Sequence, residues 1–372
     1  MGGGQKEMGI PQLLQFNTLL ILAALFIGII GSQALSSNFG SNSAAITLFI
    51  LVLALSLLVV SADFFIEGAK GLARRGGIPE VVIGLTIVSI GTSLPEILVT
   101  STAAMDSSSN PEIADFAIGG ILGSVLVQIT LILGIVSLSR GLEIKPSWLK
   151  RDGQVMMLSL LLLSLFLLTD YSLSRLEGVF LSFSYLFYIT WLLYNRKVIQ
   201  KEENESRDNE LKGISWTGTA YFVMILIGLS LAVFAAHYLV EYASDIAYRL
   251  NVPHSVIGTT VSGLGTSLPE LTIALMAARR SQGVAIGTLI GSNITDPLLS
   301  IGSAAMISPL TITPDGVNMI IYFILPSTVI CTLAALLMMR TSFKFKRWEG
   351  MTLITFYLIF LALCEYLRRI GF

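Results

Sequence analysis

The chain has 372 residues, of which 54% are hydrophobic and only 13% are charged, whereas soluble domains carry about a quarter charged residues. Its net charge is −1, and its basic residues are spread among many short polar segments, which excludes the basic patch of a nucleic-acid-binding protein. The two cysteines and two histidines have neither disulfide nor metal-ligand spacing. The composition indicates an integral membrane protein and not a soluble enzyme.

Apolar segments of about 20 residues, enough to cross a bilayer, recur along almost the whole chain. They predict an all-α protein of about 11 spans with short connections. In chain order the predicted spans cover residues 13–34, 44–69, 80–104, 114–139, 153–170, 173–195, 217–249, 254–279, 283–308, 316–339 and 349–370.

The first span, within residues 1–40, has two interpretations. The stretch Gly31-Ser32-Gln33-Ala34 at its end resembles a signal-peptide cleavage site. However, its apolar run is long for a signal sequence and long enough to cross the bilayer. We therefore expect a retained extra helix.

Lysine and arginine residues concentrate in alternate loops, with 19 on one side of the predicted membrane and 4 on the other. The positive-inside rule then predicts a cytoplasmic N-terminus, if the first helix is retained, and an external C-terminus.

The hexamer Gly91–Glu96, GTSLPE, recurs letter for letter at Gly265–Glu270 inside another apolar segment. An ionisable side chain at membrane depth is costly and marks a functional site by default. The proline before each glutamate removes a helix hydrogen bond and frees a carbonyl four residues earlier. Each copy thus offers a carboxylate, freed carbonyls and two hydroxyls, and carboxylates and carbonyls are ligands that hard cations prefer. The hydroxyls belong to Thr92, Ser93, Thr266 and Ser267.

The similarity between the two motif regions extends beyond the hexamer. An offset of 174 residues also aligns Pro79 with Pro253, and an offset of 168 later aligns Gly119 with Gly287. We expect two homologous five-span repeats, inverted because five is odd, which is an arrangement that secondary transporters use to bind substrate near the midplane. The predicted repeats are 44–195 (motif region 80–139) and 217–372 (motif region 254–308), joined by a cytoplasmic linker at 196–216.

Two facing carboxylates repel each other unless a cation neutralises them. Calcium takes six to eight oxygen ligands, which the duplicated motif supplies. Several sodium ions could neutralise the same pair in its place. Mutually exclusive occupancy of one site by two kinds of ion is the basis of antiport.

The paired GTSLPE segments, each followed by G-x-x-x-G-S, resemble the two alpha repeats of the sodium/calcium exchangers, in the cation/calcium antiporter superfamily. The resemblance covers roughly residues 44 to 370 and leaves the first helix unmatched. It implies a membrane antiporter that transports calcium and sodium, with no cofactor.

The resemblance also implies roles for individual residues. Glu96 and Glu270 would meet at the centre of the protein and bind calcium, and the motif hydroxyls and carbonyls would complete the calcium and sodium sites. Further ligands implied in the following helices are Ser124, Gln128, Ser292 and Asp296. Gln128 departs from the family pattern, which usually has asparagine there, and its extra methylene bears on ion preference.

Three functions are compatible with the sequence. The leading hypothesis is sodium/calcium exchange at the plasma membrane of a prokaryote, by a monomer without an obligate protein partner. A proton- or potassium-coupled antiporter on the same fold stays open because of Gln128. A cation channel is the alternative of another class, and the inverted repeats without a continuous charged ring disfavour it.

Overall fold

The computed structural model describes residues 14–39, 44–106, 112–204, 218–249 and 267–370. Within these residues, nine helices are long and apolar enough to cross a membrane, and a bent pair, Glu80–Thr92 with Leu94–Met105, raises the number to ten. The two strands are short. The predicted all-α integral membrane fold is confirmed.

The helices of the first half, up to the polar linker, include three short π-helical turns. They are α1 Leu14–Phe39, α2 Ala44–Gly76, α3 Glu80–Ile83, π1 Gly84–Val88, α4 Ser89–Thr92, α5 Leu94–Asp106, α6 Glu112–Val127, π2 Gln128–Ile132, α7 Leu133–Arg140, α8 Pro146–Trp148, π3 Leu149–Gly153, α9 Gln154–Asp170, β1 Ser172–Leu173, α10 Arg175–Tyr194 and α11 Arg196–Asn204.

The described residues of the second half contain two further π-helical turns. Their elements are α12 Gly218–Arg249, α13 Leu268–Arg280, α14 Gln282–Thr295, π4 Asp296–Ser300, α15 Ile301–Ile307, β2 Leu310–Thr311, α16 Pro314–Val317, π5 Asn318–Ile324, α17 Leu325–Ser342 and α18 Arg347–Arg369. Half of the predicted span 254–279, residues 254–266, lies outside the described residues.

Several helices begin or end a few residues away from the predicted span boundaries, for example α1 at Phe39 and α2 at Gly76. One of these differences has a clear physical cause. The helix predicted to start at residue 153 starts at Pro146, because the charged residues before it are satisfied inside the helix. Arg151 donates two hydrogen bonds of 2.7 Å to the carboxylate of Asp152, and the Tyr188 hydroxyl donates one of 2.9 Å. Asp152 is fully buried. An ion pair thus lies at the start of this span, in a segment whose charges predict a loop.

The described residues divide into two compact units, and the first comprises residues 14–80, 196–249 and 267–276, less the gaps. Its two long helices, α2 and α12, pack antiparallel at glycines. A Cβ atom on Gly68 would lie 2.9 Å from Met224 Cβ, and one on Gly228 would lie 2.8 Å from Phe65 Cβ. The extra helix α1 packs on both, with the rings of Phe26 and Phe234 4.6 Å apart.

The second unit comprises residues 81–195 and 277–370, less the gap at 107–111. Two backbone pairings within this unit are related to each other by the sequence repeat. Ser172 of β1 pairs with Thr311 of β2, and Glu143 forms an isolated bridge with Lys344. Thr311 is the second-repeat equivalent of Glu143, at the offset of 168, and Lys344 is the second-repeat equivalent of Ser172, at an offset of 172. Both pairings therefore join the same two positions of the repeat, with the roles of the two repeats exchanged.

Two close helix crossings in the second unit follow the same equivalence. A Cβ on Gly178 would lie 2.8 Å from the Gly302 carbonyl, and a Cβ on Gly350 would lie 2.9 Å from the Gly134 carbonyl. Gly178 corresponds to Gly350 and Gly134 to Gly302. Small residues let backbones approach in this way in membrane proteins. These crossings hold α10 against α15 and α18 against α7.

Candidate ion-binding site

The first GTSLPE segment lies at a break between two helices. α4 ends at Thr92, Ser93 has φ −79° and ψ 3°, and α5 begins at Leu94. Pro95 has no N–H to offer the Gly91 carbonyl, so the helical hydrogen-bond ladder is interrupted. The two helical pieces are bent by 43° here. Glu96 consequently lies in the first turn of a new helix, directly after the break.

The polar side chains of this segment are buried. Thr92 and Ser93 are fully buried, and Glu96 exposes 5% of its surface. Thr100, one turn later, donates to the Glu96 carbonyl at 2.7 Å and approaches the Ser300 carbonyl at 3.3 Å. The segment that carries the carboxylate is therefore tied to the π4 turn.

Gln128 and Asp296, which hold equivalent positions in the two repeats, are joined directly. Gln128 Nε2 donates to Asp296 Oδ2 and to Ser124 Oγ, both at 3.0 Å. Ser300 Oγ lies 3.4 Å from Asp296 Oδ1, and the Ser93 hydroxyl also lies beside this carboxylate. Both amide hydrogens of Gln128 are used in these bonds. Its buried Oε1 is an acceptor without a hydrogen-bond partner among the described residues. Such an oxygen can coordinate a cation.

The same two residues each begin a π-helical turn, at Gln128–Ile132 and Asp296–Ser300. A π-turn widens the helix by one residue and changes which carbonyls are bonded, and such turns are frequent at functional sites. The repeat therefore extends to this irregular backbone as well as to the sequence.

Ser292 meets the first motif. Its Oγ lies 3.3 Å from Thr92 Oγ1. This approach depends on glycine, because a Cβ on Gly287 would lie 2.8 Å from Gly84 Cα, and a Cβ on Gly291 would lie 2.8 Å from Ser89 Cβ. The G-x-x-x-G pattern before Ser292 is thus a surface for close helix packing.

The second motif belongs to the first unit as far as it is described. Ser267 and Glu270 are each 1% exposed, and Glu270 lies in the first turn of α13. The N–H of Leu271 donates to the Ser267 carbonyl at 3.1 Å, as that of the equivalent Ile97 does to Ser93. The local geometry of the two motifs is therefore alike from this serine onward. The predicted ligand Thr266 lies outside the described residues.

Sequence reasoning missed several polar neighbours of the site. Ser300 and Thr100 contact the predicted ligands but occur in only one repeat, so the repeat gave no signal for them. Ser300 follows Asp296 by four residues, the spacing that places two side chains on one helical face, and this could have identified it. Across the described residues, no three histidine, cysteine, aspartate or glutamate side chains form a group that could hold a metal ion.

Comparison with known proteins identifies the family. The family described as "Sodium/calcium exchanger protein" matches residues 46–194 and 220–364, so helix α1 lies outside both matched regions. The chain is 32% identical over 361 residues to the sodium/calcium exchanger MaX1 of Methanosarcina acetivorans, covering 87% of this chain and 99% of that one. It is also 32% identical over 328 residues to the inner membrane protein YrbG of Escherichia coli, covering 86% and 97%.

Solved structures agree with these relatives. The sodium-calcium exchanger NCX_Mj superposes with a TM-score of 0.69 at 28% identity, covering 86% of this chain and 99% of that one. The resemblance found in the paired motifs is confirmed, and this chain belongs to the sodium/calcium exchanger family.

Proposed function

We propose that this protein exchanges sodium for calcium across the membrane by alternating access around one ion-binding site. The observation that carries the proposal is the hydrogen bond between Gln128 and Asp296. It joins equivalent positions of the two repeats, as is expected of a site on a pseudo-twofold axis. The names of the relatives MaX1 and NCX_Mj support sodium and calcium as the ions.

The proposed ligands are the oxygens that the repeat duplicates. We assign calcium to the carboxylates of Glu96 and Glu270, because two negative charges balance one calcium ion. Hydroxyls, an amide oxygen and a third carboxyl group complete the calcium and sodium sites. They belong to Thr92, Ser93, Thr266, Ser267, Ser124, Ser292, Gln128 and Asp296. A site built only of oxygen ligands suits both calcium and sodium. The charge needed to neutralise the carboxylates therefore sets which ions replace each other.

The proposal includes location and assembly. The distribution of basic residues supports a cytoplasmic N-terminus, and prokaryotic relatives support the plasma membrane. We assign transport to the monomer, because each chain carries both motifs. No cofactor is needed, because the ion gradient supplies the free energy.

The test is calcium uptake into proteoliposomes preloaded with sodium, potassium or acid. Uptake driven by internal sodium, saturating with calcium and showing counterflow, is expected. Uptake that needs internal potassium or acid and ignores sodium would replace the proposal with a different antiporter. Calcium flux that neither saturates nor shows counterflow would indicate a channel. Vesicles without protein and vesicles with the Glu96→Gln variant are the controls.

A further inference from the structure

Tyr185 lies outside both motifs, on α10, yet its hydroxyl reaches the helices that carry the proposed ligands. It is one of the largest fully buried side chains, at 1% exposure. Its hydroxyl oxygen is 3.1 Å from Thr295 Oγ1 and also faces the Ser89 hydroxyl. Thr295 directly precedes Asp296, and Ser89 begins the short helix that ends at Thr92. A side chain from a third helix therefore lies where the two site helices meet.

The hydrogen bonds at this junction show what the Tyr185 hydroxyl does. The Thr295 hydroxyl is a donor that lies 2.9 Å from the Gly291 carbonyl of its own helix, 3.1 Å from the Tyr185 hydroxyl and 3.4 Å from the Ser89 hydroxyl. The Ser89 hydroxyl lies 2.8 Å from the Leu85 carbonyl of its own helix. The direct approach of Thr295 to Ser89 is the longest of these contacts. The Tyr185 hydroxyl, which accepts from Thr295 and also faces Ser89, bridges the two helices at this point.

The position of α10 is fixed by backbone packing and does not depend on this hydroxyl. Gly178 and Gly302 meet so closely that a Cβ on Gly302 would lie 2.6 Å from Ser182 Oγ. Tyr185 is thus held in place by the rest of its helix. Removing its hydroxyl should leave α10 where it is.

We propose that Tyr185 is a positioning residue for ion binding, whose hydroxyl sets the spacing between α4 and α14. That spacing determines the 3.3 Å separation of the Thr92 and Ser292 hydroxyls one turn away. The proposal rests on the proposed function, because those hydroxyls are taken as ligands. It predicts that Tyr185 affects ion affinity without touching an ion.

The repeat supplies a matched control. Tyr357 of α18 corresponds to Tyr185 and is also buried, at 3% exposure. The equivalence is supported by the caps of the two helices, where Glu177 accepts from the Ser174 N–H at 2.8 Å and Glu349 accepts from the Lys346 N–H at 2.7 Å. The first-repeat residue equivalent to Thr295, however, is a valine, which has no hydroxyl. Tyr357 therefore has the same ring, but its repeat lacks the threonine hydroxyl that Tyr185 binds.

The experiment compares Tyr185→Phe with Tyr357→Phe in proteoliposomes under a sodium gradient. A lost hydrogen bond is worth about 0.5–1.5 kcal/mol, so the half-saturating calcium concentration should rise about two- to tenfold in Tyr185→Phe, with an unchanged maximal rate. Tyr357→Phe should leave it unchanged. Thermal unfolding in detergent, with and without calcium, measures binding independently of transport. The stabilisation by calcium should fall only in Tyr185→Phe.

A double mutant tests whether Tyr185 acts through the junction. Thr295→Val should raise the half-saturating concentration as well, and adding Tyr185→Phe to it should cause little further change. Equal effects of the two tyrosine variants, or fully additive effects with Thr295→Val, would overturn the proposal. Wild-type protein that binds calcium but shows no sodium-driven flux would contradict the proposed function, while the binding comparison would still test Tyr185.

Discussion

Replacing Asp296 with asparagine distinguishes a charged calcium ligand from a neutral neighbour. In the proposed site, Glu96 and Glu270 already balance the two charges of calcium. A third ionised carboxylate would add a fully buried negative charge without a counter-charge, which is costly. We therefore expect Asp296 to carry a proton when calcium is bound, and Asp296→Asn to support calcium transport.

The hydrogen bonds of Asp296 set the size of the effect. The new amide can keep its oxygen toward Gln128 Nε2, at 3.0 Å in the native protein, and direct its N–H toward Ser300 Oγ, which can accept it. Gln128 then keeps its orientation, with Oε1 still available to an ion. At most one hydrogen bond is lost, about 1.5 kcal/mol, which limits the change to about tenfold. Removing a buried charged ligand would cost about 3–5 kcal/mol, or more than about 100-fold.

Sodium-driven calcium flux into proteoliposomes measures this difference. Asp296→Asn, Glu96→Gln and a control, Asp115→Asn, are compared at equal reconstituted amounts. Asp115 lies outside the proposed site, where it accepts a hydrogen bond of 2.8 Å from the Thr313 N–H at the start of a helix. Its variant therefore controls for the change of an aspartate to an asparagine as such. If Asp296→Asn loses as much flux as Glu96→Gln while Asp115→Asn remains active, Asp296 is a charged ligand and the argument is refuted.

Three further predictions concern the site and the topology. Glu96→Gln and Glu270→Gln should each abolish calcium flux, because one carboxylate cannot hold a partly dehydrated divalent ion, and near-normal flux in either would remove that residue from the site. Gln128→Asn should mainly shift the preference among sodium, potassium and protons, measured as calcium flux under each gradient, and an unchanged preference would exclude a selective role. Single cysteines at Lys201 and Asn110 should react with impermeant reagents from opposite faces of the membrane, whereas labelling from one face would refute the inversion.

The sequence predicted the fold and the central motif because both depend on local rules. A proline in the GTSLPE motif must interrupt a helix, and the structure breaks the helix there, with Glu96 in the first turn that follows. Long apolar segments must become helices in a bilayer, since every backbone group has to be bonded internally. These outcomes require no knowledge of which helices pack together.

The contacts of the site were less accessible because they depend on packing between distant segments. The resemblance implied Gln128 and Asp296 as ligands, but neither residue's own neighbourhood shows that they bond to each other. Tyr185 carries no motif, and its place in the chain gives no sign that it reaches Thr295. The pair Arg151 and Asp152 was read as part of a loop, since charge composition does not reveal that two neighbouring charges neutralise each other inside a helix.

The pairing of Gln128 with Asp296 explains how a symmetric scaffold can hold an asymmetric site. The backbone around them is duplicated, from the π-turns that they begin to the glycine crossings that support each repeat. A symmetric pair of carboxylates here would repel, and a symmetric pair of amides would lack a charged group. One amide and one acid can share a hydrogen bond and still leave the amide oxygen to face an ion. We therefore expect a single substitution at Gln128 or Asp296 to change most directly which ions the proposed site accepts.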